Sequence, residues 1–164
     1  MPAAERRLFL LSFVSKPKTV KRHQSLLTFS REHHTVLLLA QILKKDAPAY
    51  KGMPAKVPDK IEYLKAKYHT ELKKHFHAEE NILFPFITGK NNLIDELIDD
   101  LINDHNQLAE NIVKLDTHDD SEKLLDETGC LLERHIRKEE RVLFQKIQEV
   151  LSENELDELG KLFG

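Results

Sequence analysis

Four histidines recur at matched depths along apolar helical seams, and that recurrence restricts the chain to folds in which several helices run side by side. They are His33, His75, His105 and His135. Two carry a glutamate four positions on, His75 with Glu79 and His135 with Glu139. His105 lies thirty residues after His75 and thirty before His135. An antiparallel hairpin folds such spacing into spatial coincidence. Positions i and i+4 share a helical face, so each His-x-x-x-Glu pair offers a nitrogen and an oxygen to one place.

Apolar periodicity and end signals predict five helices. The first runs from about Ser30, a plausible N-cap, to Asp46. Pro48, Gly52, Pro54 and Pro58 mark residues 47–58 as a linker. The second helix runs from about Asp59 to Ile87, with Gly89 as its stop, and the third from Asn91 or Asn92 to about Thr117. Asp119, Asp120 and Ser121 form a turn and cap before the fourth, which reaches about Leu151. Ser152-Glu153-Asn154-Glu155 is a capping box for a short fifth helix ending near Gly160. Strand signals are absent, and the short second and third connections force antiparallel neighbours. The expected fold is therefore all-α: an up-down four-helix bundle over 30–164, with an N-terminal arm over 1–29 packed on it and a short C-terminal helix.

The third helix shows one continuous seam: Ile94, Ile98, Leu101, His105, Leu108, Ile112 and Leu115. The second offers Ile61, Leu64, Tyr68, Leu72, His75, Glu79, Ile82 and Phe86. The fourth offers Leu125, Thr128, Leu132, His135, Glu139 and Val142, and in the first His33 is followed by Val36, Leu37 and Ala40. At ~1.5 Å of rise per residue, the depths of His75, His105 and His135 agree within ~3 Å, and the Pro-rich linker absorbs the larger offset of His33. The segment starting at His75 also lines up with that starting at His135, sharing the His, both Glu, the Leu and the Phe, and Glu32-His33 matches Asp104-His105. Such a duplication predicts a site with approximate two-fold symmetry.

Burying six ionisable groups in one layer is costly unless they are paired or hold a cation. A lone His-x-x-x-Glu is ordinarily a surface ion pair. A lone histidine on an apolar seam is ordinarily a hydrogen-bonded core residue. Two such pairs plus two further histidines in one layer point instead to metal, and imidazole with carboxylate suits iron, manganese or zinc. If Glu79 and Glu139 bridge two ions, each ion receives two nitrogens and two oxygens. An oxo or hydroxo bridge adds one ligand, and an octahedral ion keeps a position open for a small molecule.

The formal net charge of -3 gives no electrostatic case for nucleic acid or an anionic membrane as partner. The apolar run Leu8 to Val14 is short for a signal peptide, lacks a small-residue cleavage site, and is far too short to span a bilayer. A single cysteine, Cys130, excludes an internal disulfide and reads as a small apolar helical residue. These features lead us to expect a cytoplasmic protein.

The order His, His-x-x-x-Glu, His, His-x-x-x-Glu over about residues 30–150, with the wording SREHH, HFHAEENILFP, NDHNQLAE and HIRKEERVLF, resembles the hemerythrin-like, or HHE cation-binding, domain family. The resemblance implies a four-helix bundle holding a non-haem di-iron centre, oxo- or hydroxo-bridged, with His33, His75, Glu79, His105, His135 and Glu139 as ligands. Oxygen-carrying members use a fifth histidine where this chain has Ala109, and end with an aspartate at the fifth position after the last histidine. This chain has Glu139 at the fourth position and Glu140 at the fifth. Losing one imidazole leaves both ions open, which favours binding or reducing dioxygen, peroxide or nitric oxide over pure oxygen carriage. The set resembles that of the iron-sulfur cluster repair di-iron proteins. Whether the chain is an enzyme stays open, and non-catalytic iron storage, iron sensing, oxygen carriage or signalling is the alternative. Ferritin-like di-iron enzymes use Glu-x-x-His, and none of the nine histidines has an acidic residue three positions earlier. A phosphotransfer bundle needs one exposed histidine, and a tetrahedral zinc site uses fewer donors than six.

Some assignments stay open. His34, ~100° around the helix from His33, is the other candidate ligand there. His23, His69, His77 and His118 read as surface residues; Glu80 and Glu140 are either exposed helix charges, the favoured reading, or carboxylate partners of a histidine. Glu32 and Asp104 diverge from the histidines beside them. Tyr68 is either core packing or a gate above open metal positions.

Overall fold

The seams build four long helices whose two ends are filled by separate apolar clusters. The computed structural model describes residues 21–163, so the run Leu8 to Val14 and most of the expected arm lie outside the described residues. After a 3-10 turn at Gln24–Leu26, α1 spans Leu27–Leu43. Helix α2 covers 57–87: it is α-helical at Val57–Lys67, Lys73–Ala78 and Phe84–Ile87, with wider π turns at Tyr68–Leu72 and Glu79–Leu83. Helix α3 spans Asn92–Lys114. Helix α4 covers 121–150, with a π turn at Glu139–Leu143 between Ser121–Lys138 and Phe144–Val150. A short α5 spans Glu153–Leu162. No strand occurs among the described residues.

Local chemistry explains most boundaries. Asn91 accepts from the Leu93 N–H and Asp120 from the Lys123 N–H, so both cap the helices they precede. Ser152 and Glu155 form the expected reciprocal box. Gly89 ends α2 at φ +79°, a conformation that suits a residue without Cβ. Helix α1 starts earlier than its sequence signal and has no side-chain cap of its own; the 3-10 turn ahead of it is capped by His23, which accepts from the Ser25 N–H at 3.2 Å. Ser30 lies within the helix.

One cluster joins Phe29 near the start of α1, Ile87 at the end of α2, Ile94 at the start of α3 and Ile147 near the end of α4, with Leu156 and Leu159 of α5 over them. The other joins Leu43, Leu64, Leu115 and Leu124 at the opposite ends of the same helices. This alternation is the up-down order. Helices α1 and α4 approach closely because Gly129 has no side chain; a Cβ there would sit 2.7 Å from the Ala40 carbonyl oxygen.

All seven predicted seam residues of α3 are buried. In α2 and α4 the seam slips by one residue after the glutamate. Leu83 and Leu143 are fully buried, whereas Val142 is 41% exposed and Ile82 is only half-buried. The cause is the π turn that follows each glutamate, which inserts one extra residue and turns the next part of the helix by about a quarter of a turn.

Candidate metal centre

Between the two apolar clusters lies a polar layer made by His33, His75, Glu79, His105, His135 and Glu139, all buried. The imidazoles meet in two pairs, with Nε2 atoms 3.1 Å apart for His33 and His75 and 3.2 Å apart for His105 and His135. Glu79 lies between the pairs. Its Oε1 is 2.9 Å from His75 Nε2, and its Oε2 is 3.2 Å from His105 Nε2. Glu139 Oε2 is 3.2 Å from His33 Nε2 and 3.6 Å from His135 Nε2. One set of donors within 4.8 Å of one another is thus His33, His75, Glu79 and Glu139; a second is Glu79, His105 and His135.

The outer nitrogens fix which way these rings face. His33 Nδ1–H donates to Glu140 at 2.6 Å, His75 Nδ1–H to Glu32 at 2.7 Å and His105 Nδ1–H to Glu80 at 2.6 Å. His135 Nδ1 faces Asp104 at 3.5 Å, beyond a hydrogen bond. Each carboxylate belongs to one helix and each histidine to the next, so the four contacts run once around the bundle. An imidazole whose Nδ1 carries the proton presents a bare lone pair at Nε2. Two such lone pairs at 3.1 Å repel unless a cation or a proton lies between them.

The donors fit a metal on three counts. Ligands at a right angle with bonds of ~2.1 Å sit ~3.0 Å apart, close to both imidazole pairs. All four oxygens of Glu79 and Glu139 are buried with no hydrogen-bond partner among the described residues, and buried carboxylates left so are costly. Nitrogen and oxygen donors together suit iron, manganese or zinc.

The family model for the hemerythrin HHE cation binding domain matches residues 26–147. The chain belongs to that family. Comparison with curated proteins and with solved structures gives no match.

In this hemerythrin-family chain the carboxylates also set the protonation of the metal-free layer. Burial disfavours a charge on His33, but Glu139, Glu140 and Glu79 outweigh it and push its pKa up to about 11. Burial likewise opposes the charge on His75, and Glu79 and Glu32 raise it to about 10. His105 moves up for the same reasons, burial being outweighed by Glu79 and Glu80. Burial would raise Glu79, but His75, His105 and His33 hold it well below the usual carboxylate range. The facing carboxylates thus favour positive charge in this layer.

The six sequence candidates meet in one layer. His34 is exposed, as are His69, His77 and His118. Sequence reading favoured the wrong alternative for Glu80 and Glu140, which are anchors for His105 and His33 rather than free surface charges. The duplicated Glu-Glu and acidic-His dipeptides were the available signal. It also missed Arg22, which donates to Glu140 Oε2 at 2.7 Å and lies over the Phe144 ring at 5.0 Å. Phe144 in turn stacks on His33 at 5.5 Å. Cys130, expected as an apolar residue, is exposed because the neighbouring Gly129 takes the packed face.

Proposed function

We propose that this chain is a non-haem di-iron protein that binds or reduces a small molecule, dioxygen, peroxide or nitric oxide. The observation that carries the reading is Glu79, whose two oxygens face different imidazole pairs and find no hydrogen bond among the described residues. Iron bound there would supply open coordination positions and a change of oxidation state.

The chain's own groups would do the rest. His33, His75, His105 and His135 would bind through Nε2, with Glu140, Glu32 and Glu80 keeping the first three rings in place. Glu79 would bridge, and Glu139 would complete the His33 side. Apolar packing above and below would keep bulk water from the layer. Position 109 is alanine, so no fifth imidazole occupies the His105 side.

Metal analysis of protein purified without added metal, coupled to an absorption spectrum, tests the reading. About two irons per chain and a charge-transfer band are expected. Glu79→Ala and His105→Ala should each lose most of the metal. Full iron in both variants would remove these residues from the ligand set. Rapid mixing of reduced protein with each small molecule then selects among them.

A further inference from the structure

The two halves of the repeat differ in how they are covered. On the α4 side, Lys138 donates to Asp104 at 3.1 Å and Arg22 covers Glu140, while Leu37 of α1 is half-buried against the second apolar cluster. The repeat equivalents on the α2 side are smaller. Ala78 stands where α4 has Lys138, and Ala109 stands where α1 has Leu37. Glu32 and Glu80, equivalents of Asp104 and Glu140, have no cation bonded to them among the described residues and are 51% and 40% exposed.

Two pockets result, one on each flank of α2. The first, about 310 Å³, is lined by Glu32, Thr35, Val36, Thr70, His75 and Ala78 among others. The second, about 260 Å³, includes Tyr68, Phe76, Glu80, His105 and Ala109. Each ends on a histidine of a different imidazole pair. The π turn at Tyr68–Leu72 contributes to both, and its equivalent in α4 is regular helix. Phe76 is the inner wall of the second pocket: its ring lies 3.9 Å from His105, 5.6 Å from His135 and 6.0 Å from His75.

We propose that small molecules reach the centre only from the α2 side, through this pair of pockets, one leading to each half of the site, with the α4 side sealed. Val36 and Ala78 line the first beside Glu71 and Lys74, and the Phe76 ring lines the second beside Lys73 and Glu80, so each pocket joins an apolar wall to charged groups and admits by size. A diatomic molecule or hydrogen peroxide is small enough to pass. This inference rests on reading the layer as a small-molecule centre.

Two measurements test it, using the repeat's own sealing residues in the double variant Ala78→Lys/Ala109→Leu. The first needs no iron. With zinc supplied instead, dissolved oxygen under pressure should broaden the NMR signals of Val36 and Phe76 more than those of their equivalents Leu108 and Ile136, and the double variant should lose that excess. Equal broadening on both sides overturns the proposal. The second uses protein carrying its full iron: nitric oxide should associate about tenfold more slowly with the double variant. An unchanged rate at full loading overturns it as well. Failure to load iron would refute the di-iron reading alone, and the oxygen measurement would then decide the entrance. If Ala78→Lys does not fold, Thr35→Leu narrows the same pocket from α1.

Discussion

Glu140 lies next to a proposed ligand in sequence yet serves a histidine on another helix. Adjacent residues diverge by ~100° on a helix, so Glu140 leaves the face of Glu139 and reaches His33 on α1. Arg22 then holds Glu140 from outside, and the burial that would raise this carboxyl is outweighed by His33 and Arg22, which bring it down to about 2. Glu140→Gln and Arg22→Ala should therefore weaken metal binding by about tenfold to a hundredfold, with Arg22→Lys recovering part. Competition with a chromophoric chelator measures this, and unchanged affinity in both variants would show that the contact is incidental. The six inward groups were legible because ligand chemistry imposes residue type and spacing. Their outer partners were not, since which helix lies alongside depends on packing. Protonation gives a second prediction. In metal-free protein the facing carboxylates push His33 and His75 up to about 11 and about 10, above their ordinary 6.5. A raised pKa contributes stability that is complete below 6.5 and lost as pH rises through the folded value. The melting temperature of chelator-treated protein should fall between about pH 7 and pH 10. Metal uptake should strengthen over the same range, because protons are displaced from these nitrogens.

Helix α3 could be read residue by residue because it is regular throughout, so steps of three and four hold from Ile94 to Leu115. Helices α2 and α4 could not be read beyond Glu79 and Glu139, because a π turn follows each glutamate and apolar spacing does not announce it. The shared Leu-Phe of the repeat, Leu83-Phe84 and Leu143-Phe144, was the only trace of the shift. It follows that Leu143→Ala should cost about 2–5 kcal/mol, while the exposed Val142→Ala costs under about 1. Urea denaturation of the two variants compares them, and equal losses would argue for an unbroken α-helix past Glu139. At the α1–α4 contact, Gly129→Ala places a methyl against the Ala40 carbonyl and Leu43. The same assay should show a loss of about 1–3 kcal/mol, since backbone cannot yield as a flexible side chain can.

At the scale of the molecule, the repeat makes a centre with two similar halves, and the added elements break the likeness. The bundle and its polar layer were legible from periodicity, repeat and caps. The closing of one end was not, because α5 and the 3-10 turn meet only through tertiary contact. Leu156 and Leu159 of α5 are buried with Leu26 and Phe29. Phe163 meets Phe29 edge-on at 4.8 Å, and Phe29 meets His75 at 5.6 Å. A chain of aromatic contacts thus runs from α5 to a proposed ligand. Deleting residues 152–164 would bare the floor of one apolar cluster and free Phe29 to move against His75. We expect the shortened protein to melt well below the parent, and its metal to exchange faster with a competing chelator at temperatures where it is still folded. Both losses are needed for α5 to be part of the centre's support. A lower melting point with unchanged exchange would confine its role to covering the apolar end, because the contact from Phe29 to His75 would then hold without it.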